Sequence, residues 1–414
     1  MKTPISDFLD PVLDGVRDIH DGEVVEGLPE RVTSDPEWLS AAVCTVSGNI
    51  YSAGDHDLEF TMQSISKSFV YALALRELGR DKVFETAGME PSGESFNELS
   101  LGRQNRPMNP LINAGAIAVN QLINGEHSSV ADRVERIREF LSDLAGRELK
   151  INEAVADSEF DNADNNLAIA HMLRSHGIIS DDAREAVLSY TRQCSVEVTV
   201  RDLAVMSATL ANGGTQPVTG EKILSRDVCR LTLSVMSSAG MYDASGRWMA
   251  TVGIPAKSGI TGGLIGTLPG QLGLATMSPR LDQQGNSVRG VKIFERFSEE
   301  MGLHLMEPDP WGTNAVRSIE THGEDVIISL QGTVNFASAE KILDDLSHRD
   351  FTGRRLILDV SHTAGFHRMS RKMVKEGLRR FREDGFAVAI YDPGGMIGDF
   401  EFSDGTHAGT IDHR

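Results

Sequence analysis

The sequence predicts an α+β fold for the larger, N-terminal part of the chain and a small α/β domain behind it. The length of 414 residues exceeds what one ordinary hydrophobic core holds. Strand-like segments flank a long helical stretch in the first part, and a β-α-β-α-β pattern follows it. We place the domains at residues 1–306 and 312–400, separated by a Pro-rich break at Glu307–Pro310.

The first elements are a hairpin and a helix. Residues 40–53 are predicted to form a hairpin, with an apolar strand, a Ser-Gly-Asn turn and a second strand. Residues 64–79 have the apolar spacing of a helix, with Phe69, Leu73 and Leu78 on its buried side and a glycine as its C-cap.

The middle of this part is helical, and its end returns to strands. Helical periodicity covers residues 131–145, 163–176 and 200–211. After Gly240, short strands and glycine turns are predicted at residues 247–253, 257–263 and 271–277. We therefore expect one sheet built from both ends of this part, with a helical cluster between them.

The second domain is predicted from its alternating pattern. Its strands are Asp325–Val334, Arg355–Val360 and Phe386–Tyr391, and its helices are Ser338–Ser347 and Ser370–Asp384. The last dozen residues are polar, and we expect them to be loose.

Composition limits the classes of function. Hydrophobic residues make up 40% and charged residues 24%, as in globular proteins. A net charge of -20 disfavours a nucleic-acid partner, and the lack of a long apolar run disfavours a membrane span. The N-terminal residues 1–8 lack the apolar stretch of a signal peptide, so we expect a cytoplasmic protein. Cys44, Cys194 and Cys229 are expected to be reduced, mostly buried thiols.

Several catalytic motifs are missing from the sequence, namely HExxH, GxSxG, GxGxxG and the phosphate-binding GxxxxGK loop. Metal, triad and nucleotide chemistry are therefore disfavoured, and we expect no metal or cofactor. Asp161–Asp164 is better explained as a solvated loop than as a metal site.

The motif Ser64-Ile65-Ser66-Lys67 remains, at the start of the first helix. A spacing of three residues is about one helical turn, so the Lys67 amine can lie beside the Ser64 hydroxyl. Lys67 can accept a proton near pH 7 only if burial or a nearby cation lowers its pKa. The second S-x-x-K, residues 338–341, is explained by a solvated helix face.

A second motif, Lys257-Ser258-Gly259, resembles the K-[ST]-G strand of penicillin-recognising serine enzymes. In those enzymes the strand faces the nucleophile and supplies an oxyanion N–H, and its lysine adds positive field that favours a neutral Lys67.

Across residues 10–303 the order and spacing of further motifs resemble the glutaminase family. These motifs are residues 63–67, 90–93, 109–117, 194–199, 210–214, 240–243, 255–259 and 285–288. The resemblance implies a serine β-lactamase-like fold, hydrolysis of L-glutamine to L-glutamate and ammonia without a cofactor, and a homodimer or homotetramer.

The resemblance also implies a role for each matching position. Ser64 would be the nucleophile, Lys67 its base, and Tyr242 a group at the reacting centre with Lys257 in support. The backbone N–H of Ile260 would complete the oxyanion hole with that of Ser64. The substrate-binding positions would be Ser64, Asn113, Glu159, Asn166, Tyr190, Tyr242 and Ile260.

Glutamine chemistry agrees with these positions. A buried Glu159 suits the cationic α-amine, and amide and phenol donors suit the α-carboxylate. Attack by Ser64 leaves a γ-glutamyl ester, and ammonia departs with a proton from Lys67 or Tyr242. Read singly, each residue has a structural alternative: a turn cap for Asn113 and a core aromatic for Tyr190.

The sequence departs from the family pattern at three positions. Gly27 replaces a tyrosine, Asn165 replaces an arginine, and Thr261 stands where a small residue is usual. A lost hydrogen bond to a charged group costs about 1.5–3 kcal/mol, so substrate affinity is in question.

The second domain resembles the STAS family through Leu356–Ser361. Its phosphorylation site, Asp-Ser-Ser-Gly, is replaced here by residues 367–370, and Ser370 is out of register, so we expect the switch to be lost. The domain would then serve docking or dimer formation. The basic residues of its helix form either a face for an acidic partner or a plain solvated face: Arg371, Lys372, Lys375, Arg379, Arg380 and Arg382.

Two alternatives to a glutaminase stay open at this point. One is another penicillin-recognising hydrolase, and the other is a glutamine-binding sensor that reports through the STAS-like domain.

Overall fold

A computed structural model describes residues 6–24, 35–93, 97–102, 105–125, 127–306, 315–334, 354–366 and 368–411, with positions 339, 342, 343 and 346. The chain divides into two compact units, Met1–Glu307 and Pro308–Arg414. The predicted break at 307–310, the position of Gly27 and most of the predicted helix 338–347 lie outside the described residues.

The first unit contains helices and one main sheet. Its helices are α1 (Ser6–Asp14), α2 (Ser66–Thr86), α3 (Asn113–Asn120), α4 (Val130–Ala145), α5 (Glu153–Asp161), α6 (Asp164–Ser175), α7 (Ala183–Cys194), α8 (Val200–Ala211), α9 (Arg226–Ala239), α10 (Ser245–Thr251) and α11 (Val288–Met301). Its strands are β1 (Ser40–Thr45), β2 (Ile50–Gly54), β3 (Phe60–Thr61), β4 (Glu197–Val198), β5 (Ala256–Ser258), β6 (Gly263–Leu268) and β7 (Leu272–Met277).

The main sheet is antiparallel in the order β2-β1-β7-β6-β5, so both ends of the unit contribute to it, as predicted. Both of its faces are buried. Along β1, Ala42 and Cys44 pack into one core and Ala41 and Val43 into another, because successive side chains point to opposite faces. Helix α8 packs on one face, and α1 and α11 cover the other.

The helical cluster between the sheet strands holds α3, α6 and α7 together through Ile117, Ile169 and Val187. Gly115 permits a close approach at the start of α3, since a Cβ there would lie 1.9 Å from the Asn109 carbonyl oxygen. Asn109 also accepts hydrogen bonds from the backbone N–H groups of Leu111 and Ile112. This turn fixes the first residue of α3.

The predicted hairpin and the three middle helices are confirmed, but two predictions were wrong. Residues 247–253 are mostly helical rather than a strand, because the Trp248 indole donates to the Ile254 carbonyl and packs on Phe294 in the core. Leu78 is 39% exposed rather than buried. It precedes Gly79, whose φ of 78° kinks α2, and the helix continues to Thr86 instead of ending there.

The second unit is a five-stranded mixed sheet in the order β12-β11-β10-β9-β8. Its elements are β8 (Val316–His322), β9 (Asp325–Val334), β10 (Arg355–Phe366), α12 (Arg368–Glu383), β11 (Ala387–Tyr391) and β12 (Gly409–Thr410). Strands β9 to β12 run parallel, and β8 is antiparallel to β9.

The predicted strands and the basic helix of this unit are confirmed, with β10 extending beyond Val360. The pattern missed β8, and β12 lies among the residues that we expected to be loose. Val374 and Leu378 of α12 pack on the sheet, and Ser370 at its start is fully buried. Among the described residues, no helix combines the length and apolar character needed to cross a bilayer.

Candidate active site

Ser64 lies in a short 3-10 turn, Gln63–Ile65, immediately before α2. The sequence predicted it on the helix itself. Gln63 has a φ of 49°, in the left-handed region that a residue with a side chain rarely adopts. Ser64 is nevertheless buried and sits at the N-terminal end of α2, where backbone N–H groups point outward from the helix.

Lys67 lies on the first turn of α2 and is buried, with 1% of its surface exposed. Its Nζ donates to Asn113 Oδ1 at 2.6 Å. Burial lowers the pKa of Lys67 to about 8, so about one tenth of the amine is neutral at pH 7. The nearby Cys194 thiol adds no negative charge there, because burial raises its pKa to about 12.

Tyr242 reaches the same centre from the loop after α9. Its side chain is hydrogen-bonded to that of Ser64, and burial raises its pKa to about 12. Gly240 allows this loop to pass close to β5, since a Cβ at Gly240 would lie 1.8 Å from the Ala256 carbonyl oxygen. The loop bends sharply here, with a φ of 53° at Tyr242.

Lys257 projects from β5 and is completely buried. Its Nζ donates to Tyr242 Oη at 2.9 Å and to the Ser258 carbonyl at 2.6 Å. Burial lowers its pKa well below the usual value, and the charge of Lys67 lowers it further. The two lysines therefore disfavour being charged together.

The predicted amide positions meet at the start of α3. Asn113 Nδ2 donates to Asn166 Oδ1 at 2.9 Å, and its Oδ1 accepts from the Tyr190 hydroxyl at 3.3 Å as well as from Lys67. Burial raises the pKa of Tyr190 well above its usual range, so the phenol stays a neutral donor. Helices α3, α6 and α7 thus bring together three polar side chains that are distant in the sequence.

Glu159 lies on α5 and is partly buried. Burial raises its pKa to about 7, against the effect of a short hydrogen bond from Gln63 Nε2. The sequence reasoning assigned no role to Gln63, although it stands directly before Ser64 in the motif. A cation bound near Glu159 would lower this pKa and favour the charged carboxylate.

Ile260 occupies the turn after β5. Its neighbour Gly259 packs against the segment that leads into the turn Gln63–Ile65, because a Cβ at Gly259 would lie 3.1 Å from the Met62 carbonyl oxygen. The Ile260 backbone is thus held near the residues that precede Ser64. Asn165, one of the departures from the family pattern, is exposed and donates to the Asn97 carbonyl at 2.8 Å.

The hydrogen bonds form three sets: Ser64 with Tyr242 and Lys257; Lys67 with Asn113, Asn166 and Tyr190; and Glu159 with Gln63 of the turn that carries Ser64. A hydroxyl, two amines with lowered pKa values and a carboxylate in one buried centre suit acyl chemistry on a small, charged amide. Within the described ranges, no group of three His, Cys, Asp or Glu side chains is placed to hold a metal ion.

Comparisons with known proteins agree with an enzyme that acts on a small, charged amide. The glutaminase family model matches residues 22–306. Glutaminases of Corynebacterium efficiens and Corynebacterium glutamicum are 60% and 59% identical, over 100% and 98% of this chain and 98% of each relative.

Solved structures give the same result. A crystal structure of Mglu superposes with a TM-score of 0.89 at 45% identity, over 95% of this chain and 99% of that one. The probable glutaminase ybaS has a TM-score of 0.70 at 37% identity, over 73% of this chain and 98% of its own. The chain belongs to the glutaminase family, enzymes that hydrolyse the side-chain amide of glutamine.

Proposed function

We propose that this glutaminase reaction runs through Ser64 as the nucleophile and Lys67 as its base. Lys67 accepts the Ser64 proton as the oxygen attacks the amide carbonyl carbon of glutamine. The observation that carries this proposal is the buried Lys67 amine one turn from Ser64, with a pKa of about 8. An ordinary exposed lysine is almost fully charged at pH 7 and cannot accept that proton.

The oxyanion that forms would accept hydrogen bonds from the backbone N–H groups of Ser64 and Ile260. The C–N bond then breaks, and ammonia leaves with a proton from Lys67 or Tyr242. Lys257 donates to Tyr242 Oη, which supports Tyr242 as the proton donor. Water attacks the remaining γ-glutamyl ester, its proton passes to the base, and Ser64 is released with L-glutamate.

Substrate recognition is proposed to use the remaining polar groups. Glu159 would pair with the α-amine, whose positive charge favours the charged carboxylate. Asn113, Asn166 and Tyr190 would donate to the α-carboxylate, and their mutual hydrogen bonds support one common orientation. The preference for glutamine over asparagine would depend on the length of the pocket, because one methylene contributes about 1–3 kcal/mol to substrate discrimination.

For the second unit, we propose a STAS-like domain over residues 312–400, behind a catalytic domain at residues 1–306. The parallel strands β9, β10 and β11 and the packed α12 support this assignment. Full burial of Ser370 supports a domain without the phosphorylation switch, since a kinase cannot reach that hydroxyl in the folded unit. A docking or dimer-forming role, a homodimer or homotetramer, and a cytoplasmic location stay predictions, and light scattering tests the oligomer.

The test of the nucleophile is ammonia release from L-glutamine, with L-asparagine alongside, by the wild type and Ser64→Ala. Ser68→Ala is the matched control, because Ser68 is a buried serine four residues further on, in the first turn of α2, whose hydroxyl donates to the Ile65 carbonyl. We expect no turnover from Ser64→Ala, retained L-glutamate binding by calorimetry, and turnover in the control. Appreciable turnover by Ser64→Ala would exclude the proposed mechanism.

A further inference from the structure

The Ile260 backbone lies in a closed turn. The N–H of Gly262 donates to the Gly259 carbonyl at 3.0 Å, and the N–H of Gly259 donates to the Gly263 carbonyl at 2.9 Å. Gly262 has a φ of 93°, which a glycine adopts without strain. The internal geometry of the turn is therefore defined by its own backbone hydrogen bonds.

The position of this turn relative to Ser64 needs contacts of a different kind, because Ser64 belongs to a distant part of the sequence. Gly259 provides a steric limit against the Met62 carbonyl oxygen. A steric limit prevents a closer approach but does not stop the turn from moving away. A hydrogen bond between the turn with Ile260 and the segment before Ser64 would keep the turn from moving away.

Thr261 makes such a bond. Its Oγ1 donates to the Thr61 carbonyl at 3.0 Å, and its side chain is 2% exposed. Thr61 is the last residue of β3, three residues before Ser64, and Thr261 directly follows Ile260. We propose that Thr261 is a positioning residue, which holds the Ile260 N–H at the distance from Ser64 that the oxyanion requires.

Thr61 also connects this turn to the Glu159 carboxylate, through Gln63. Thr61 Oγ1 accepts from Gln63 Nε2 at 3.2 Å, and Gln63 also donates to Glu159. The turn that carries Ile260 and the side chain proposed to bind the substrate amine are thus attached to one short segment, residues 61–63. Thr261 acts on the oxyanion end of this network.

The inference rests on the proposed function, since it assigns Thr261 an effect through the oxyanion N–H of Ile260. Oxyanion donors act within a narrow range of about 2.7–3.1 Å, and the loss of one costs about 10²–10³ in kcat. Loosening a donor is milder than removing it. We therefore expect Thr261→Val, which keeps the shape but not the hydroxyl, to lower kcat about tenfold.

The experiment compares kcat and KM for L-glutamine and the inhibition constant of L-glutamate in the wild type, Thr261→Val and Thr261→Ser. Thr209→Val is the matched control, because Thr209 is buried and its hydroxyl donates to the Val205 carbonyl within α8. We expect the valine variant to lose kcat with KM and the inhibition constant unchanged, and the serine variant to recover kcat to within about twofold.

Three results would overturn the inference: wild-type kcat in Thr261→Val, a serine variant as slow as the valine variant, or an equal loss in Thr209→Val. Ser64→Ala is assayed in parallel to separate the two proposals. Turnover by Ser64→Ala removes the acyl-enzyme mechanism and the inference with it. An inactive Ser64→Ala beside a fully active Thr261→Val removes only the role of Thr261.

Discussion

Replacing Asn113 by aspartate places a carboxylate beside the Lys67 amine with almost no change in shape. The Asn113 Oδ1 atom lies 2.6 Å from Lys67 Nζ, and both residues are buried. An opposite charge at such a distance favours the charged lysine and raises its pKa by about 1–3. Since the pKa of Lys67 is about 8 in the wild type, each increase of one pKa unit lowers the neutral fraction of the amine at pH 7 about tenfold.

Lys67, as the proposed base, accepts a proton only in its neutral form. We therefore expect kcat to rise as the pH increases through the pKa of Lys67. We expect Asn113→Asp to lower kcat at pH 7 by about 10- to 1000-fold and to move the midpoint of this rise upward by about 1–3 pH units. The assay is ammonia release at saturating glutamine from pH 6 to 11, because the expected midpoint lies between about 9 and 11. Saturation separates the effect on Lys67 from weaker binding of the substrate carboxylate.

Asn113→Ala is the control for this experiment, since it removes the same oxygen without adding charge. Its kcat profile should keep the wild-type midpoint or move to lower pH, because a hydrogen bond that favours the charged amine is lost. A wild-type midpoint in Asn113→Asp would refute the reasoning and would show that Lys67 does not titrate in the rate-limiting step.

Two further predictions follow from the site and the fold. Glu159, with a pKa of about 7, is charged above that pH, so the fall of kcat/KM that Lys67 causes below about pH 8 should steepen below about pH 7. In Glu159→Gln this extra steepness should vanish and KM should rise at least tenfold, as a pH series of initial rates will show. Gly240→Ala should lower the free energy of unfolding by about 1–3 kcal/mol in urea titrations, since its Cβ would lie 1.8 Å from a carbonyl oxygen, whereas Gly246→Ala, with open space on α10, should be neutral or stabilising. Equal effects of the two glycine substitutions would contradict the close approach.

The parts of the site that the sequence predicts are those set by local geometry. Ser64 and Lys67 are three residues apart, and the 3-10 turn that runs directly into α2 keeps them within about one turn of each other. The apolar run before the Ser-Gly-Asn turn likewise predicts β1, because both faces of this strand lie in a core. Family resemblance supplied the remaining positions, which no single spacing indicates.

The parts that escape prediction depend on tertiary contacts. Gln63 and Glu159 are 96 residues apart in the sequence, and their hydrogen bond depends on the tertiary fold that brings α5 to the turn Gln63–Ile65. The segment around Trp248 has the residue types of a strand, yet its indole bond and aromatic packing stabilise a helix. The short β12 pairs through backbone groups, which side-chain patterns do not report.

The order of the main sheet also bears on how the protein is made. Strand β1 pairs with β7, so residues 40–45 find their partner only when residues 272–277 are available. A nascent chain released before that point has the turn Gln63–Ile65 and α2 but lacks β7, the strand that joins β1 to β6 in the sheet. Folding of this unit is therefore dominated by contacts between distant residues, which form slowly. A chain that ends before β7 therefore leaves the edge of β1 that β7 covers without its partner strand, which is an edge open to pairing with other chains.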